Sequence, residues 1–166
     1  MTPAPRPTAD ATLAAMADAG DRELLGAARS VLERAYVAGR HDVAAAVRVE
    51  SGAIVTGLHL EASQGRASVC AESGALSAAG AAFPGEPVTA IVAVLRRADG
   101  TDYLIEPCGV CAELLVDHCP DARVWVGHGD TPEAVTPARL LPFHHPRPGR
   151  LAAPSSATPA QENPHD

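Results

Sequence analysis

Glu106-Pro107-Cys108-Gly109-Val110-Cys111-Ala112-Glu113-Leu114-Leu115 is the stretch from which the fold is read. A proline before the first cysteine and an apolar run after the second predict a helix over about 108–118 with both thiols on its opening turn. Upstream, Cys70 in Ser68-Val69-Cys70-Ala71-Glu72 stands at a second expected helix start, over about 69–82, where the Ser68 hydroxyl is placed to cap the first turn. Tyr103-Leu104-Ile105 reads as a short strand that delivers the chain to Pro107, and Arg123 to Val126 as the strand after the helix. Val88 to Leu95 is almost continuously apolar, the pattern of a central strand buried on both faces.

Further out, Val43 to Val49 and Ile54 to Leu60 flank Glu50-Ser51-Gly52, which predicts a β-hairpin. Leu24, Leu25, Ala28, Val31, Leu32, Ala35 and Tyr36 form the stripe of an amphipathic helix that begins near Asp21 and ends before Gly39. A last short helix is expected over 137–141. Helices interleaved with five strands make an α/β sandwich with a mixed sheet. The Pro/Thr/Ala/Asp segment over 1–20 and the Pro/Ser/Ala tail over 146–166 read as disordered ends around one domain, 21–145.

Composition narrows the function. Of the 166 residues 46% are hydrophobic but only 3% aromatic, so the core must be built from Ala, Val, Leu and Ile. Net charge is −7 and no basic stripe is present, which argues against a nucleic-acid partner, since such binders need clustered cations for phosphate. No apolar run approaches the roughly 18 residues of a membrane span, and the first residues lack the charged-then-apolar order of a secretion signal. A cytoplasmic protein without membrane contact is expected.

The four cysteines point to metal rather than bridges, because Cys108 and Cys111 lie one turn apart at a helix start. The positive end of a helix favours an ionised thiol. Two helix starts facing each other would gather Cys70, Cys108 and Cys111 around one Zn²⁺, leaving a tetrahedral corner open for a water made acidic by the metal. Glu72 would stand beside that water as a proton shuttle. The Cys-x-x-Cys pair alone also occurs in structural zinc ribbons and redox proteins. A ribbon needs a fourth ligand, and Cys119 lies about 16 Å down the helix, where a buried small side chain is expected. His118, His128, His144, His145 and His165 are assigned no role.

Cys-x-Glu followed by Pro-Cys-x-x-Cys is a general signature of zinc-dependent deaminases, and the chain resembles the cytidine deaminase family from about Asp21 to Phe143. Gly57-Leu58-His59-Leu60-Glu61 stands where that family has Gly-x-Asn-x-Glu, Cys70-Ala71-Glu72 and Pro107-Cys108-Gly109-Val110-Cys111 match its two metal motifs, and Leu140-Leu141-Pro142-Phe143 resembles its closing segment. The resemblance implies a three-layer α/β/α sandwich with one zinc per subunit. It also implies attack on C4 of a cytosine ring with release of ammonia, in a homotetramer whose sites are completed by neighbours; a dimer is the smaller alternative. It places Glu61, His59, Ala71, His41 and Phe143 at the substrate. His59 replaces an asparagine, His41 an aromatic residue, and Ser73 an arginine that offsets thiolate charge. Arg66, in the loop before Cys70, is expected to supply some of that charge.

The expected function is therefore hydrolytic deamination of a cytidine-like amino-heterocycle nucleoside. One alternative within enzymes is a modified nucleoside or nucleoside antibiotic of the blasticidin S type, or a free base. Another, from a different class, is a non-catalytic zinc-stabilised binding domain. A nucleic-acid editor is disfavoured by acidity and by the missing aromatic platform.

Overall fold

The computed structural model of the chain describes residues 6–145. The Thr8 side chain accepts the Ala11 N–H at the start of α1 (Ala9–Ala15), and the Asp18 carboxylate accepts the Asp21 N–H at the start of α2 (Ala19–Ala35). The hairpin β1 (Val43–Val49) and β2 (Ile54–Leu58) comes next, then α3 (Ala71–Ala82), β3 (Val88–Arg96) and β4 (Asp102–Ile105). Helix α4 (Gly109–His118), a second hairpin of β5 (Arg123–His128) and β6 (Thr131–Val135), and the short α5 (Pro137–Leu140) complete the described chain.

The strands form one mixed sheet in the order β2-β1-β3-β5-β6, with β4 also paired to β3. β3 is its centre. It runs antiparallel to β1 from Val43↔Leu95 to Val49↔Val88, antiparallel to β4, and parallel to β5 at Ala90↔Arg123 and Ile91↔Val124. Successive side chains of a strand point to opposite faces, and the core divides accordingly. Ala45, Val47, Val49, Ile91 and Ala93 pack with Ala71, Ala75 and Ala79 of α3 and Leu115 of α4. Ala44, Ala46, Ala90, Val92 and Val94 pack with Leu24, Leu25, Ala28, Val31 and Leu32 of α2. The expected three-layer α/β/α sandwich is thus present, and burial on both faces explains the unbroken apolar run of β3.

Two expectations need correction. The sheet has six strands among the described residues rather than five, because β6 is an edge strand. Its sequence Thr-Pro-Glu-Ala-Val carries a proline and a charge and little apolar alternation, all tolerated at an edge. The segment 1–20 is not a disordered end over its described part. The Leu104 N–H donates to Pro7 O at 3.0 Å, Thr8 bridges Tyr103, and α1 packs against β4 and β6. Met16, only 2% exposed, joins the α2 side of the core, and the Arg22 guanidinium donates to the Met16 and Ala17 carbonyls at 2.6 and 2.9 Å. The tail 146–166 lies outside the described residues. Met16→Ala is expected to lower the unfolding free energy by about 2–5 kcal/mol, the range for truncating a buried methionine. Urea unfolding checks this, and an unchanged midpoint would show that the segment contributes nothing to the domain. No described helix is long and apolar enough to cross a membrane.

One close contact ties the sheet to α3. A Cβ on Gly57 of β2 would lie 2.1 Å from the Ala71 carbonyl oxygen and 2.5 Å from the Ala75 nitrogen, so the helix rests directly on the strand backbone.

Candidate metal centre and active site

Cys70 and Cys108 are the N-caps of α3 and α4, both in extended conformation with ψ of 144° and 167°. Cys111 stands on the first turn of α4. Because both helices begin at the same end of the sandwich, their opening turns meet. The Cys70 and Cys108 sulfurs are 3.5 Å apart, and the ligand atoms of all three cysteines lie within 4.8 Å of one another. All four cysteines are free thiols. A tetrahedral zinc with sulfurs at about 2.3 Å separates them by about 3.8 Å, so this spacing fits the ion. Soft thiolates select zinc over hard cations. Among the described residues no fourth His, Cys, Asp or Glu joins the group, which leaves one corner open.

The thiols differ in environment. Burial pushes Cys111 well above the ordinary thiol range, and the Glu72 carboxylate raises it further. Burial also raises Cys70, together with the adjoining Cys108 thiol. Burial acts the same way on Cys108, but the Cys111 peptide N–H, the Cys70 and Cys111 thiols and the Val110 N–H outweigh it, and this thiol lies below its usual value. Two peptide groups of a helix start thus lower the thiol at its N-cap position. Cys119, by contrast, is a buried thiol pushed up to about 11 by burial alone, consistent with the packing role expected for it.

Glu72 is only 4% exposed. Burial raises its carboxyl above the usual range, while its own backbone N–H, the neighbouring Cys111 thiol and the His59 charge oppose the rise. Ser68, expected as a helix cap, does something else. Its hydroxyl donates to Glu61 Oε1 at 3.0 Å and accepts the Ala62 N–H at 3.1 Å, while Leu60 and Val69 exchange two backbone hydrogen bonds. The segment carrying His59 and Glu61 is thereby fastened to the segment that enters Cys70, and the N-cap position falls to Cys70, whose side chain makes no capping hydrogen bond.

Two turns with three convergent thiols and a buried glutamate invite comparison with known proteins. Residues 19–127 match the zinc-binding region of cytidine and deoxycytidylate deaminases. The chain belongs to this family. It is 32% identical over 131 residues to the blasticidin-S deaminase of Bacillus cereus, covering 76% of this chain and 93% of that protein. It is 34% identical over 127 residues to a cytidine deaminase of Halalkalibacterium halodurans, covering 74% and 92%. Among solved structures, the cytidine deaminase of Bacillus anthracis superposes with a TM-score of 0.64 at 25% identity over 75% of this chain and 88% of that one. That of Burkholderia pseudomallei gives 0.61 at 28% identity over 74% and 97%. Helix α1, β6 and α5 lie outside the matched family region.

Within this family member the other sequence-predicted residues divide into two groups. His59 Nε2 lies 3.2 Å from Glu61 Oε2, His41 Nδ1 is 2.9 Å from the His59 carbonyl, and the fully buried Ala71 adjoins Glu72. Ala71 thus lies between Cys70 and Glu72, His59 is near enough to act on the Glu72 carboxyl, and His41 and Glu61 are tied to His59. Phe143 is in the other group: it is 96% exposed and lines nothing in the single chain. Arg66 is exposed and forms no ion pair among the described residues. The polar side chain at the thiols is instead Ser73, whose Oγ lies 3.3 Å from Cys111 Sγ, a contact in which either the hydroxyl or the thiol can donate. In the sequence Ser73 registers only as a missing arginine. The signal that could have found it is spacing, since Cys70 and Ser73 stand three apart at a helix start and so share a face.

Proposed function

We propose that this protein is a zinc-dependent hydrolytic deaminase of a cytidine-like amino-heterocycle nucleoside, with Glu72 as its proton carrier. Glu72 carries the reading: a carboxylate almost wholly withdrawn from water, beside Cys111, in no ion pair among the described residues and with only the His59 ring acting on its charge from nearby. Burying an unpaired charge costs several kcal/mol, and a purely structural zinc site offers no return for it. Zinc held by Cys70, Cys108 and Cys111 supplies Lewis-acid activation of the attacking water. A Glu72 carboxylate oxygen takes the proton from that water and passes it to the ring nitrogen beside the amino-bearing carbon. Glu72, a carboxylate again, then takes the remaining proton from the added hydroxyl and delivers it to the departing amine. Water adds, the C–N bond breaks, ammonia leaves and the oxygen stays as the carbonyl of the product.

Glu61 and His59 hold the sugar hydroxyls or their equivalent, His41 steadies His59 through its carbonyl and borders the pocket, and Ala71 lines the base. Phe143 reaches a neighbouring copy in a homotetramer, a dimer being the smaller alternative. Its 96% exposure supports this, as do the 66% exposure of Val110 and 47% of Leu60 beside the site turns. We place the protein in the cytoplasm, where unbridged thiols persist.

The relation to a blasticidin-S deaminase over 93% of that protein's length, together with His59 in the asparagine position, favours a second reading in which the substrate is a modified nucleoside. Ammonia release from cytidine, deoxycytidine, cytosine, 5-methylcytosine, blasticidin S and aminopurine nucleosides separates the readings. Turnover of cytidine and deoxycytidine is expected. Turnover of blasticidin S alone supports the second reading, and inertness toward the whole panel would leave a zinc-stabilised binding domain.

A further inference from the structure

Of the three sulfurs, only that of Cys111 belongs to a fully buried residue. Cys108 is exposed and Cys70 partly so, and water can hydrogen-bond both. Three thiolates on a divalent cation leave one net negative charge, and the share on Cys111 must be met from within the protein. An anionic acceptor left without a donor in the interior is costly. Ser73, on the first turn of α3, reaches across to α4 and places its hydroxyl 3.3 Å from that sulfur. Among the described residues the other non-cysteine side chain at these sulfurs is Glu72, beside Cys111, and its carboxylate can accept a hydrogen bond from the thiol but offers none to a thiolate.

We propose that Ser73 is a positioning residue for the metal: its hydroxyl donates to the Cys111 thiolate, fixing the sulfur's direction and drawing off part of its charge. The inference rests on the zinc reading of the site. Groups that orient and hydrogen-bond metal ligands govern affinity nearly as strongly as the ligands do. Because the donor is neutral, the centre keeps its overall negative charge, and compensation is spread over a hydroxyl and two helix starts.

The test uses the full chain, as wild type, Ser73→Ala and Ser73→Thr, loaded with Zn²⁺ or Co²⁺. Chelator competition is expected to show zinc held about 10–100-fold more weakly in Ser73→Ala. The sulfur-to-cobalt charge-transfer band should move to lower energy, because losing a hydrogen bond raises the sulfur lone pairs. Ser73→Thr, which keeps the hydroxyl, should restore both. Wild-type affinity and band position in Ser73→Ala would overturn the proposal. So would weaker binding with an unmoved band, which marks a merely structural effect, or a threonine variant that behaves like alanine. A wild type that binds no zinc would refute the deaminase reading itself, a result distinct from these.

Discussion

Glu72→Gln should cut kcat by about 10²–10⁴-fold, the range carried by a positioned general acid–base, while zinc stays bound at one per chain. Glutamine keeps the shape and cannot carry the proton. The side chain is 4% exposed and its carboxyl is already raised by burial, so a neutral amide in its place is less costly to keep out of water. The variant should therefore be at least as stable as the wild type. Ammonia release measured beside zinc content separates the outcomes. Activity within a few-fold of wild type would remove Glu72 from the reaction, and activity lost together with zinc would make it a ligand instead.

Gly57→Ala should be the most damaging single methyl addition in the sheet, with a loss of about 3 kcal/mol or more. The new Cβ would stand 2.1 Å from the Ala71 oxygen and 2.5 Å from the Ala75 nitrogen, and both are backbone atoms that cannot swing aside. Relief requires α3 to lift from β2, and α3 begins at Cys70 and carries Glu72 and Ser73. Zinc occupancy should fall with stability. Gly80→Ala on the same helix is the control, because its Cβ would meet nothing within 4 Å and its position is exposed. That variant should gain about 0.5–1 kcal/mol from helix propensity. Chemical unfolding of both variants checks the pair, and a Gly57→Ala midpoint equal to wild type would disprove the close approach.

The metal turns were legible because their signals are local. A proline, two cysteines at helical spacing and an apolar run specify a helix start without reference to the rest of the chain. The central strand was legible for a similar reason, since both its faces are buried and its sequence is apolar throughout. β6 was not, because an edge strand at the surface needs neither apolar alternation nor freedom from proline. The ordered segment around α1 was missed because its short helix is held by tertiary contacts, with Met16 in the core and Pro7 paired to Leu104, rather than by its own periodicity. Ser68 illustrates another limit. A serine before a helix suggests a cap, yet its hydroxyl instead bonds to Glu61 and to the Ala62 N–H, a partnership between segments that sequence spacing does not encode. Phe143 is the converse case: its motif resembled a substrate contact, while in one chain it reaches nothing.

Three sulfurs holding one zinc, with a corner left to solvent, are the centre of the proposed chemistry. X-ray absorption at the zinc edge of the loaded full-length protein reads that arrangement directly. The expected shell is three sulfurs at about 2.3 Å and one oxygen at about 2.0–2.1 Å, without the multiple scattering of an imidazole. A four-sulfur shell, or a histidine in the fourth place, would contradict it.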